Sequence, residues 1–388
     1  MKTRLFLSVL GVLLLGACSN TATAGLEPTA TSTSPVVLTA TVPQPPTQVQ
    51  LPTATLPTPE NPPVATATQA ATVVPTASAI VVPVDVPASS STYIDDRSTP
   101  SQVIVSFYNA IDRKEYLRAY SYWDNPANSL GSYSSWASGY STTASVDLVF
   151  GSITGDEGMS QYHYTVPVIL KATSTTGVRT NYAACYIVHA SVPDVYGAPP
   201  FAPMGIDEGS AVQSDLTASD VSVLASTCSK YPTGSYPVPV AGASLNVDKS
   251  NFLDNRSGPI ETLSSYVNAL NLKQYVRAYY YFDDPNNYPG SYTTWATAFA
   301  SRQSIAVTFG NPQTEGTAGS TYYNVPLEMN ILTTSGTTQI VDGCYVLRLG
   351  DPTAQQTPPF HSMGIVSGKF NLMDNSADAN DQLPTACN

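Results

Sequence analysis

The side chains of this chain whose types could support chemistry are three histidines, five cysteines, two arginines set among tyrosines, and two aspartates in Asp-x-Pro. His163, His189 and His361 do not cluster with cysteines or acids at zinc or haem spacing, so the sequence calls for no metal or other cofactor. No P-loop, dinucleotide fingerprint or nucleophile elbow occurs, and no catalytic residue is assigned. Asp124 and Asp283 read as turn residues that end a helix ahead of Pro126 and Pro285. Arg118 lies between Tyr116, Tyr120 and Tyr122, and Arg277 between Tyr275, Tyr279 and Tyr281. These eight are the candidate ligand-binding residues: an arginine can grip a carboxylate, and aromatic rings can stack on a sugar or hold an apolar ligand. Tyr122 and Tyr281 fall off the apolar stripe of their helices, which predicts exposure.

The elements that position these residues occur twice. Adding 159 to a position finds its partner: Arg97 and Arg256, Tyr116 and Tyr275, Arg118 and Arg277, Trp136 and Trp295, Cys228 and Cys387. A period this long describes a duplicated domain, not a solenoid. The predicted boundaries are a leader over 1–17, a tether over 18–91, one repeat over 92–230, a linker over 231–250 and a second repeat over 251–388. In each repeat a proline-started helix (Pro100, Pro259) carries apolar residues at i, i+3, i+4 and i+7: Ile104, Phe107, Tyr108 and Ile111, matched by Leu263, Tyr266, Val267 and Leu270. A second helix holds the arginine, and a short one holds Trp136. Segments alternating with period two follow, which makes each repeat α+β: a helix pair, then an antiparallel sheet. The Pro-Pro-Phe loop at 199–201 and its twin at 358–360 are stiff segments suited to plug or rim a cavity. Cys185 and Cys228 are 43 residues apart, as are Cys344 and Cys387, which predicts one disulfide per repeat in an exported chain. Each would stabilise its repeat by roughly 4 kcal/mol in the chain-entropy account.

Composition narrows the class. Only 11% of the 388 residues are charged, and the formal net charge is -12, which excludes a nucleic-acid partner. Lys2 and Arg4 precede an apolar run that ends in Leu15-Gly16-Ala17-Cys18, which resembles the lipobox of bacterial lipoproteins. That resemblance implies cleavage before Cys18, lipidation of its sulfur, and anchoring to a membrane on the extracytoplasmic side. Residues 19–90 contain no Lys, Arg, His, Phe, Tyr or Trp and repeat Thr, Pro, Ala and Val, the composition of a disordered stalk. The oxygen-rich run Asp374–Asn380 lacks the glycine and glutamate of a calcium loop.

The stretch from Pro100 to Ile111, followed by Lys114-Glu115-Tyr116-Leu117-Arg118-Ala119-Tyr120, resembles the opening of nuclear transport factor 2-like (SnoaL-like) domains. The resemblance implies a helix pair packed into the concavity of a strongly curved, cone-like sheet. Family members include binding modules, isomerases and hydratases, so it does not fix a function. The sequence supports a non-catalytic binding role in the cell envelope, toward a glycan, a small apolar ligand or an envelope protein. An isomerase or hydratase working inside one cone and a purely structural spacer are the rival readings. Two like sites on one chain would bind by avidity.

Overall fold

The computed structural model describes residues 83–86, 91–158, 160–231, 234, 236–238, 252–317, 319–373 and 387. The leader, Cys18, most of the tether and the run Asp374–Asn380 lie outside the described residues. The chain forms β1 (Val84–Val86), α1 (Pro100–Asp112), α2 (Tyr116–Tyr120), α3 (Pro126–Leu130), α4 (Tyr133–Ser138), β2 (Thr143–Phe150), β3 (Ile153–Gly158), β4 (Gln161–Ser174) and β5 (Arg179–Ser191). Then come β6 (Gly205–Ser214), α5 (Asp220–Thr227), β7 (Tyr236–Val238), α6 (Pro259–Asn271), α7 (Tyr275–Tyr279) and α8 (Tyr292–Thr297). The strands β8 (Arg302–Phe309), β9 (Gln313–Thr317), β10 (Ser320–Thr333), β11 (Thr338–Gly350) and β12 (Gly364–Met373) close the described chain.

Helices α1, α2 and α4 recur as α6, α7 and α8, and β2, β4, β5 and β6 recur as β8, β10, β11 and β12, each shifted by 159 positions. Both sheets are antiparallel, and in each a long central strand, β4 or β10, pairs with two successive strands along one edge and with one long strand along the other. The edge path bends at Gly151 and Gly310, whose N–H groups donate to Pro167 O (2.9 Å) and Pro326 O (2.7 Å). Thr99 caps α1, its hydroxyl accepting from the Gln102 N–H at 3.2 Å. The predicted stripe of α1 packs on the sheet, but twelve of the helix's thirteen residues are buried. Its other side lies against α2 and residues 94–96, so an amphipathic period understates how far it is enclosed.

Three features depart from the sequence reading. The expected tether runs to residue 91, yet Val84–Val86 is a strand paired with β2, Val84 opposite Phe150. Its β-branched residues, bounded by Pro83 and Pro87, suit a short edge strand. Residues 236–238 of the expected linker form β7 and extend the first sheet beside β3, with Val238 opposite Ile153. The second helix of each lobe ends at Tyr120 and Tyr279, four residues ahead of the Asp-x-Pro turn at which it was expected to stop. The two disulfides form as predicted, Cys185–Cys228 and Cys344–Cys387, with Cα separations of 5.3 and 5.0 Å. They point to an oxidising compartment outside the cytoplasm. Among the described residues no helix is long and apolar enough to cross a membrane.

Candidate functional site

The helix-covered face of each sheet is filled by the chain itself. Phe107, Tyr108, Trp123 and Tyr186 pack edge-to-face in the first lobe, as do Tyr266, Phe282 and Tyr345 in the second. Tyr108 and Tyr186 share a hydroxyl hydrogen bond of 2.5 Å inside that packing. Burial raises both phenols far above their ordinary range, so they stay protonated.

The eight candidate residues fall four to a lobe, and their polar atoms are engaged by the chain at separate places. Arg118 is fully buried and donates to Glu115 Oε2 (2.7 Å), Asn109 Oδ1 (2.8 Å) and the Ile94 carbonyl. Arg277 repeats the pattern with Gln274 Oε1 (2.7 Å), Asn268 Oδ1 (2.8 Å) and the Leu253 carbonyl (2.6 Å). Tyr116 donates to Tyr140 O and Tyr275 to Phe299 O, while Tyr120 and Tyr279 donate to Gly131 O and Gly290 O. The predicted exposure of Tyr122 and Tyr281 is wrong: both are fully buried and donate to Asp95 Oδ1 (2.6 Å) and Asp254 Oδ1 (2.7 Å). Because α2 and α7 end at Tyr120 and Tyr279, two residues earlier, helical periodicity does not apply at these positions.

Asp95 and Asp254 belong to a seam that the sequence did not announce. Arg97 N donates to Asp254 O (2.7 Å) and Arg256 N donates to Asp95 O (2.6 Å). Asp95 N reaches Ser257 Oγ and Asp254 N reaches Ser98 Oγ, both at 2.9 Å. Each contact is mirrored by its twin, as in an isologous dimer interface. At the centre Asp96 bridges Asn255, whose Nδ2 donates to Asp96 Oδ2 at 3.2 Å. The guanidinium of Arg97 ties Ser121 O to Met204 O, and that of Arg256 ties Tyr280 O to Met363 O.

Two clefts open beside this seam, each between the second helix of one lobe and the Pro-Pro-Phe loop of the other. The larger, about 650 Å³, is lined by Tyr120, Ser121, Trp123 and Asp124 of the first lobe and Pro358, Pro359 and Phe360 of the second. The smaller, about 280 Å³, is lined by the twins Tyr279, Tyr280, Phe282 and Asp283, with Pro199, Pro200 and Phe201. The loops therefore rim a cavity between lobes, one of the two roles expected of stiff Pro-Pro-Phe segments. The sizes differ where the twins differ. Tyr280 packs on Phe201 with ring centroids 5.7 Å apart, filling space that the small Ser121 leaves open on the other side.

The wall of the larger cleft carries a carboxylate–imidazole pair, Asp124 Oδ2 to His189 Nδ1 at 2.8 Å, and that hydrogen bond raises the imidazole pKa. His163 packs tilted against His189, their ring centroids 5.1 Å apart, while His361 lines the smaller cleft. The twin of the Asp124–His189 pair is Asp283 with Arg348, at 3.3 Å. A guanidinium is no general base, so the duty common to both pairs is to tie the Asp-x-Pro turn onto the sheet. Gly205 and Gly364 permit that closeness: a Cβ on Gly364 would stand 2.9 Å from the Asp283 backbone.

One acceptor lining the larger cleft is incomplete. Asp95 Oδ2 accepts from Tyr93 OH at 3.2 Å, but Phe252 stands at the twin position, and Asp254 Oδ2, buried, has no hydrogen-bond partner. Among the described residues no group of three or more His, Cys, Asp or Glu is placed to hold a metal ion. Comparison with protein-family models, with curated proteins and with solved structures returned no match, so the reading of the cleft rests on its own residues.

Proposed function

We propose that the chain is a lipid-anchored envelope protein that displays two tandem cone-like lobes on a Pro/Thr-rich stalk and binds a glycan unit, without catalysis, in the larger inter-lobe cleft. The observation that carries this reading is the pairing of unequal twin clefts: where Ser121 replaces the tyrosine of its twin, an opening of about 650 Å³ remains. That volume suits a mono- or disaccharide. Aromatic and proline surfaces on opposite walls can face a sugar ring, while the Asp124–His189 pair offers an acceptor and a donor for its hydroxyls. Anchoring through Cys18 is supported by Leu15-Gly16-Ala17-Cys18, and an extracytoplasmic setting by the disulfides. The helix pair followed by long antiparallel strands supports the cone-like reading of each lobe. One open cleft replaces the two equal sites that avidity would need.

Ser121→Tyr tests the cleft directly. The twin Tyr280 shows how such a ring is accommodated, so the variant is expected to keep the wild-type Tm and to lose at least about tenfold in affinity, the equivalent of roughly 1.4 kcal/mol. The measurement is calorimetric titration with soluble muropeptides and neutral oligosaccharides. Equal affinity of the two proteins for the best of these probes, or no binding of any probe by the wild type, would overturn the reading.

A further inference from the structure

Each sheet has an outer face, turned away from the helix pair, on which residues paired across neighbouring strands stand in a row. In the first lobe one such row is Val149, Ile169, Ala183 and Val212, on β2, β4, β5 and β6. It is apolar throughout, and Leu224 of α5 packs on Val149 and Ile169. The twin row in the second lobe is Thr308, Glu328, Asp342 and Asn371, on β8, β10, β11 and β12. All four apolar side chains are replaced by oxygen-bearing ones.

The two acids at the centre of that row are in direct register and are buried, Glu328 at 7% and Asp342 at 5% exposure. Like charges directly opposite each other on a sheet are destabilising, more so when taken out of water. Glu328 Oε1 accepts from Asn330 Nδ2 at 2.7 Å, but both oxygens of Asp342 lack any hydrogen-bond partner. Among the described residues neither acid makes an ion pair. Cys344, two residues beyond Asp342 on the same face, carries the disulfide to Cys387. The positions of Ile169 and Ala183 in the first lobe's apolar row are thus held in the second by two carboxylates in register, one of them wholly unpartnered.

We propose that Glu328 and Asp342 form a site for a calcium-sized divalent cation on the outer face of the second lobe, assisted by the amide oxygen of Asn371 and the hydroxyl of Thr308. Carboxylate, amide and hydroxyl oxygens are hard donors, the set that calcium takes, with water completing its six to eight ligands. Two carboxylates place the affinity among weak extracellular sites, with Kd on the order of 10⁻⁴–10⁻³ M.

The test is thermal unfolding of the full chain after chelation, with added CaCl₂ and ionic-strength-matched NaCl and MgCl₂. At 10 mM calcium the Tm of the wild type is expected to rise by roughly 3–10 °C, with less effect of magnesium. The double variant Glu328→Ile with Asp342→Ala installs the residues of the twin row, which the first lobe already accommodates, and is expected to show no calcium-dependent shift. Asp342→Asn is expected to lower calcium affinity at least about tenfold. No shift in the wild type, an equal shift in the double variant, or stabilisation by acid but not by calcium would overturn the proposal; the last outcome would mean that the carboxyls share a proton.

Discussion

Replacing Asn255 with aspartate is expected to destabilise the protein by roughly 3 kcal/mol at pH 7.5, the order of magnitude for leaving a buried charge uncompensated, and to have much less effect near pH 4. Asn255 lies on the pseudo-twofold seam opposite its own twin, Asp96. In a seam that otherwise repeats itself, this is the position where identical residues would set two carboxylates against each other. The amide avoids this by donating from Nδ2 to Asp96 Oδ2. Asp96 is 2% exposed, and burial pushes its carboxyl up to about 6 although Ser98 hydrogen bonds lower it. A second carboxylate would remove the donor and add like-charge repulsion.

The pH dependence follows from the sign of the shift. A folded-state pKa raised above the unfolded value means that the native state holds a proton which the unfolded chain has released. The contribution of Asp96 is fully present below about 4 and is lost as pH rises through about 6. Asn255→Asp should steepen this decline, and Asp96→Asn should flatten it while keeping an acceptor for Asn255. Thermal melts of the three proteins between pH 4 and 8 measure both effects. Equal Tm values for wild type and Asn255→Asp at pH 7.5 would show that the seam tolerates two acids.

This seam also marks the boundary of what the sequence could reveal. Helices α1 and α6 were legible because capping, an N-terminal proline and an apolar stripe are local signals, and the long strands because alternation is local too. The disulfides were legible because a repeated spacing in cysteine needs no knowledge of the fold. Tyr122 and Tyr281 were misjudged because their environment is set by Asp95 and Asp254, 27 residues away, through hydrogen bonds made across a turn. Strand β6 is hard to read in the sequence because its outward residues leave only a weak alternation. The cleft was illegible for a stronger reason. Its walls come from different lobes, and the sequence repeat tells which residues are equivalent without telling which face each other. Comparing twins recovers part of it: Ser121 against Tyr280, Tyr93 against Phe252 and His189 against Arg348 are departures from the repeat, and all three fall at or beside the cleft or its carboxylates.

The same comparison of twins predicts a stabilising substitution. Asn271 closes the C-terminal end of α6 onto β8 with two hydrogen bonds: its Oδ1 accepts from Ile305 N (2.8 Å) and its Nδ2 donates to Ile305 O (2.9 Å). Its twin Asp112 accepts from Val146 N at 3.0 Å, and a carboxylate has no proton with which to make the second bond. Burial pushes the Asp112 carboxyl up to about 7, outweighing the lowering by the Val146 N–H and by Lys114. Above that pH the buried charge is unrelieved. Asp112→Asn is therefore expected to raise stability at pH 8, by up to about 4 kcal/mol if the whole displacement from the ordinary carboxyl value is recovered. Near pH 4 the protonated acid can itself donate, and the gain should nearly vanish. Wild-type stability should fall between about pH 4 and 7 as this proton is lost, and Asp112→Asn should remove its share of the slope over that whole range, leaving only the share of Asp96 between about 4 and 6. Denaturant unfolding of both proteins at pH 4, 6 and 8 decides the matter. A gain that is the same at all three values would assign the effect to helix propensity, not to the buried charge.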